Sequence, residues 1–339
     1  MQEQLFQIIK AHYHNKEQLI ADLMDILNVG RSAVYKRISG TILLNVEELR
    51  TLIQHFQIDP SLLFDKPSGH LDFIFPPLYK DIENQGDFLG PIIEELKVLA
   101  NSSGSKIRFL ATGFPIFYFF FHKEIAHFKF YIFQNSVWEQ GPKKLRQFNL
   151  REIEHDYHRL AQYEKVRKLY ALIDSEEVWT GNIFRSTIED IKNYLEAGLF
   201  KHPEEAIFLV DKLLESVDCI AQMIQTGNKS LMSEAHSNPG KLTVYHNSLG
   251  RFGSNILTSS KKGSRVYLTY DLPNYLVCEN PEFTAYTESW MDKVKHNSLP
   301  LSATSDLERL KFFNQITEAI KRDRRKLKSL IPKQRLREK

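Results

Sequence analysis

The stretch Leu27-Asn28-Val29-Gly30-Arg31-Ser32-Ala33-Val34-Tyr35-Lys36-Arg37-Ile38-Ser39-Gly40 constrains this chain most. A helix running into it from Lys16 places Leu19, Ile20, Leu23, Ile26 and Leu27 on one side, three and four residues apart. Asn28 and Gly30 then turn the chain, since both residue types tolerate left-handed backbone. A short helix over about Ser32 to Ser39 hides Val34 and Ile38. It turns Arg31, Ser32, Ala33, Tyr35, Lys36 and Arg37 outward, and Gly40 is suited to end it. Two helices joined this tightly leave few alternatives to a small all-helical bundle.

The flanking sequence completes that bundle. Leu5, Ile8, Ile9 and Tyr13 predict a first helix, and Asn15 an N-cap for the second. Asn45 precedes a helix from Val46 to Phe56 that buries Leu49, Leu52, Ile53 and Phe56. Asp59 and Pro60 open a last short helix carrying Leu62, Leu63 and Phe64. Lys66-Pro67-Ser68-Gly69-His70 reads as a linker, so a domain over 1–66 and a linker over 67–71 are expected.

Residues 19–64 resemble the DNA-binding domain of the Cro/cI-type (XRE-like) repressors. Leu23-Met24-Asp25-Ile26-Leu27 matches that family's first motif helix, Asn28-Val29-Gly30 its turn, and Ser32 to Gly40 its reading helix. Asn28 stands where glycine is usual, and Met24 where a small alanine is usual. The resemblance implies a lambda-repressor-like helix–turn–helix fold that reads double-stranded DNA through the major groove. In that reading Arg31, Ser32, Ala33, Tyr35, Lys36 and Arg37 divide base and phosphate contacts, and Thr41 and Asn45 add backbone contacts. One such domain reads too few base pairs to find a site in a genome, so a homodimer is expected.

Charge tempers this picture. The net charge is +3, but residues 321–339 hold ten Lys/Arg against Asp323 and Glu338. Residues 1–66 hold seven Lys/Arg and eight Asp/Glu, so the motif domain is not basic overall. Its cations are concentrated at Arg31, Lys36 and Arg37, and dimerisation doubles the set available to phosphates. The basic end is open to two readings, extra DNA affinity or a solvated end. Two cysteines form no disulfide framework, which fits a cytoplasmic location. The first residues lack the apolar core of a secretory signal, and the longest apolar run, Phe109 to Phe121, is too short to span a bilayer.

The region 72–330 alternates strand-like and helix-like patterns. Strands are expected at Lys106–Ala111, His127–Gln134, Leu242–His246, Arg265–Tyr270 and Tyr275–Glu279. Helices are expected at Pro91–Asn101, Arg151–Ile173, Ile183–Gly198, Pro203–Ile224, Glu282–Lys295 and Ser305–Ser329. This predicts an α/β or α+β sensor and dimerisation domain, whole or in two halves (72–232 and 241–330) around a loop at Ser233–Gly240, with a basic tail over 331–339.

Ten aromatics between Phe114 and Phe133 suit a core better than a ligand pocket. His127 and Lys129 follow part of a phospholipase D-like pattern, but its acid and second copy are missing. His155 and His158 have metal-ligand spacing, though a polar helix face explains them as well. Gly250 to Ser254 reads as a hairpin turn rather than a phosphate cradle. No cofactor is implied. Leu307, Leu310, Phe313, Ile316 and Ile320 form a stripe suited to a dimer seam or to packing within its own domain. The expectation is a non-enzymatic transcriptional regulator, with a C-terminal domain that pairs and senses a small-molecule or protein effector. A DNA-targeted nucleic-acid-processing enzyme and a non-catalytic interaction scaffold stay open as alternatives.

Overall fold

The computed structural model describes residues 1–58, 60–63, 70–75, 85–138, 146–232, 238–302 and 305–337. The chain forms two compact units, Met1–His70 and Leu71–Lys339. The expected linker lies mostly outside the described residues, as do the Asp59 cap and Phe64.

The N-terminal unit is helical: α1 (Gln2–Lys10), α2 (Lys16–Leu27), α3 (Arg31–Ile38), α4 (Val46–His55) and a 3-10 turn at Pro60–Leu63. Local chemistry sets each boundary. The Asn15 side chain accepts the Glu17 N–H at 2.8 Å and starts α2. Asn28 ends it in the left-handed region, with φ of 52°. Gly40, at φ of 76°, closes the turn after α3. Leu5, Ile9, Leu19, Leu23, Val34 and Leu52 meet in one core, so α3 is held by its single fully buried residue, Val34, and by half-buried Ile38. Gln2 tethers the chain after α3. Its amide donates to the Arg37 and Ile42 carbonyls and accepts the Leu44 N–H.

The C-terminal unit is α+β, built on a mixed seven-stranded sheet in the order β6-β5-β4-β1-β2-β3-β7. The strands are β1 (Lys106–Ala111), β2 (Asp174–Trp179), β3 (Leu242–His246), β4 (Asn255–Ser260), β5 (Gly263–Asp271), β6 (Asn274–Cys278) and β7 (Leu299–Pro300). β1, β2 and β3 run parallel, β4 to β6 form an antiparallel meander beside β1, and β7 closes the other edge. Strands from both sides of Ser233–Gly240 share this sheet, so the unit is not two halves; residues 233–237 of that loop lie outside the described residues.

Alternate strand residues serve opposite faces. Ile107, Phe109 and Trp179 pack under α5 (Gln85–Ala100), α6 (Ile116–Phe119), α7 (Lys123–Phe133), α8 (Tyr157–Leu172), α9 (Arg185–Glu196), α10 (Glu205–Thr226) and α12 (Asp306–Arg337). Leu110, Val178 and Leu257 pack on the other face with Met291 of α11 (Pro281–His296).

Several expectations are corrected. His127–Gln134 is not a strand but the second half of α7, whose residues from Ile125 to Tyr131 are all buried. A helix wrapped on every side shows no polar face, and its apolar run mimics a buried strand. Arg151–Ile173 is not one helix. Asp156 breaks it, capping α8 through the Arg159 N–H at 2.9 Å and leaving a 3-10 turn at Leu150–His155. Gly250 to Ser254 is not a hairpin turn, because β3 and β4 are not neighbours and the segment connects across β2 and β1. There the Asn247 side chain accepts the Leu249 and Gly250 N–H groups. Of the α12 stripe, Phe313, Ile316 and Ile320 are buried within their own unit, while Leu307 and Leu310 are exposed.

Candidate nucleic-acid interface

The outward face of α3 follows from its burial. With Val34 and Ile38 turned in, Arg31, Ser32, Tyr35 and Lys36 are exposed and line a shallow concavity with Ser39. Ala33 is half-buried behind them. Gly30 precedes α3 and offers no side-chain cap; the Ala33 and Val34 N–H groups donate to the Gly30 carbonyl, and those of Arg31 and Ser32 have no acceptor among the described residues. The positive end of this helix is therefore open to an anion.

Arg31 bonds Glu17 at 2.5 Å, with both side chains more than half exposed. An exposed pair of this kind holds weakly and releases its cation readily to a stronger partner. Lys36 forms no ion pair among the described residues. Tyr35 lies against α2, with Lys16 Nζ 5.7 Å from its ring centre. A second concavity beside the first is lined by Lys10, His14, Asn15 and Lys16, and shares Tyr35 and Ser39. These α1–α2 residues extend the polar face, and the sequence reading missed them. Their signal was the short turn between two helices, which brings residues distant from α3 in the chain onto its flank.

Two expected contact residues are engaged within the unit. Arg37 does not stand free. Its Nε and Nη2 donate to the Glu48 carboxylate, the latter at 2.6 Å, and its Nη1 donates to the Ala33 carbonyl. Both side chains of the pair are 13% exposed. Arg37 holds the Glu48 carboxyl below its ordinary range, and the Asn45 N–H adds to this. Asn45 is likewise occupied: its side chain accepts the Glu48 N–H at 2.8 Å while Glu48 accepts the Asn45 N–H at 3.1 Å, a reciprocal cap that starts α4. Arg37 and Asn45 thus join α3 to α4. Thr41 is exposed, with its hydroxyl 2.8 Å from that of Ser39.

The other sequence candidates are dispersed. Burial, then the nearby Arg159, pushes His127 down to about 4, and Arg159 Nη1 donates to its Nδ1 at 3.3 Å. Lys129 binds Asp190 at 2.7 Å instead of joining His127. His155 and His158 sit in separate elements, and no group of metal-ligating side chains gathers among the described residues. The aromatic run forms core: Phe117 stacks on Tyr170 at 4.3 Å, and Phe128 on Phe200 at 5.6 Å. No helix of the described residues is long and apolar enough to cross a membrane. Comparison with protein-family models, with curated proteins and with solved structures returns no match.

Proposed function

We propose that this chain is a sequence-specific regulator of transcription whose N-terminal unit lays α3 in the major groove of double-stranded DNA. The observation that carries the reading is an uncapped helix start followed by Arg31, Ser32, Tyr35 and Lys36 on one exposed face. In this reading Lys36 and Tyr35 meet base edges, and Ser32 lies close enough for backbone or base contact. Arg31 leaves Glu17 for a phosphate or a guanine, and Lys10, Lys16 and Thr41 serve phosphates on either side. Arg37 and Asn45 set the angle between α3 and α4 and touch no DNA.

The chain acts as a homodimer, because paired reading helices double both the cations and the sequence read. The C-terminal unit supplies the pairing surface and senses an effector, in a protein that works in the cytoplasm. The test is binding to selected and random duplexes across a salt series. Each phosphate contact contributes about 0.9 to the slope of log affinity against log salt. Replacing Lys36 with alanine removes roughly 1–3 kcal/mol of discrimination if it reads a base, and lowers the slope by about 1 if it meets a phosphate. An unchanged affinity, slope and specificity would refute the assigned face.

A further inference from the structure

The C-terminal unit contains a cavity of about 340 Å³ that the proposed DNA contacts do not use. It lies between α5 and the β4–β6 meander. Leu96, Ile107, Phe117, Ile256 and Tyr275 make an apolar wall. The cavity opens to solvent along its rim, and its volume falls within the range of clefts that hold small ligands.

One end is polar, and among the described residues its acidic groups outnumber its basic one. Arg265 donates from Nη1 to Glu95 at 2.5 Å and from Nε to Glu279 at 2.7 Å, so two carboxylates share one guanidinium. Glu95 also accepts from the Thr258 hydroxyl at 3.4 Å and from the Tyr267 hydroxyl. An incoming carboxylate would face two like charges here. An ammonium would meet Glu95 as a charge-assisted acceptor.

The cavity's rim includes Ile74, from the first residues after the N-terminal unit. Ile74 and Val277 exchange backbone hydrogen bonds at 2.7 and 2.9 Å, adding a short stretch to the edge of β6. Phe73 packs edge-on against Phe283, and Phe75 against Tyr270. Phe73 and Phe75 are more than a third exposed and Ile74 is more than half exposed, so the clamp is a light one. An occupant of the cavity lies beside Ile74 at its rim.

We infer that this cavity binds a small apolar amine, its chain along the α5–β4 wall and its ammonium on Glu95, and that occupancy tightens the Ile74–Val277 clamp. As the sensing site of a regulator the inference rests on the proposed function; as a binding site it does not, and its test needs no DNA. The probes are n-octylamine, n-octanol and n-octanoate, titrated calorimetrically into the full chain. Octylamine is expected to bind about tenfold or more tightly than octanoate, with octanol between them. Glu95→Gln brings octylamine and octanol to within about twofold of each other. Ile92→Trp, which fills the cavity from half-buried Ile92, abolishes binding while circular dichroism stays that of the wild type. Hydrogen exchange at the Ile74 and Val277 amides slows when octylamine is bound. Failure of all three probes to bind, octanoate equal to octylamine, or unchanged amine preference in Glu95→Gln would overturn the site. Unchanged exchange at the two amides would overturn the clamp.

Discussion

Arg37→Ala should weaken the N-terminal unit, although sequence pattern alone makes this residue a DNA contact. The substitution removes the Nε and Nη2 bonds to the Glu48 carboxylate and the one to the Ala33 carbonyl. It leaves a carboxylate that is 13% exposed with only the Asn45 cap. A fully buried pair broken on one side costs about 3–5 kcal/mol, and an exposed pair under about 1. The Arg37–Glu48 pair retains some solvent, so about 1.5 kcal/mol is expected, which for a unit of this size lowers its melting midpoint by roughly 6–12 °C. Lys36→Ala, one residue away and exposed, should cost under about 0.5 kcal/mol. Hydrogen exchange of the α3 and α4 amides in the full chain reads both values directly. The pair also carries a pH signature. Glu48 titrates below its ordinary 4.5 in the folded unit, so its contribution is present above that value and fades as pH falls through the lowered one. Glu48→Gln should flatten that acid loss. Equal exchange rates in Arg37→Ala and Lys36→Ala would refute the assignment of Arg37 to the scaffold.

Other substitutions test other parts of the fold. Asn28→Gly should be tolerated and Asn28→Val should cost on the order of 1–2 kcal/mol, because position 28 holds a φ of 52°; thermal unfolding reads the difference. Gly240→Ala should unfold the C-terminal unit or shift its sheet, since the added carbon would lie 2.5 Å from the Ile173 carbonyl oxygen; near-ultraviolet circular dichroism reports the loss. Lys229 is fully buried and pushed down to about 7 by that burial, with its Nζ donating to the Tyr170 and Ile173 carbonyls. The unfolded chain binds its proton more tightly, so stability should rise from pH 7 towards 10, and Lys229→Met should remove that slope in denaturant titrations.

The N-terminal helices were legible because their signals are local. Asn15, Asn45 and Gly40 act within a turn of themselves, and the spacing of Leu19, Leu23 and Val34 needs no distant partner. What the residues could not reveal was competition between distant partners. Arg37 looks like any surface arginine until α4 brings Glu48 against it. In the C-terminal unit the same limit hid whole elements. β2 reads Asp-Ser-Glu-Glu-Val-Trp, an unpromising strand. It is buried because Glu177 accepts from the Tyr118 and Tyr170 hydroxyls and from Trp179 Nε1, while Glu176 meets Lys106, Arg108 and Lys295. Tertiary pairing there overrides a weak strand propensity. The cavity beside α5 was equally hidden, since its wall is assembled from elements far apart in the chain.

The central claim is that the exposed flank of α3 reads DNA sequence. Its most direct measurement is the affinity ratio between a duplex selected by this protein and a random duplex of equal length, for wild type and for Tyr35→Ala with Lys36→Ala. The account predicts a large ratio for wild type, and its collapse in the double variant while the amides of α1 to α4 stay protected. A wild-type ratio near one, or a double variant that discriminates as well as wild type, would contradict it.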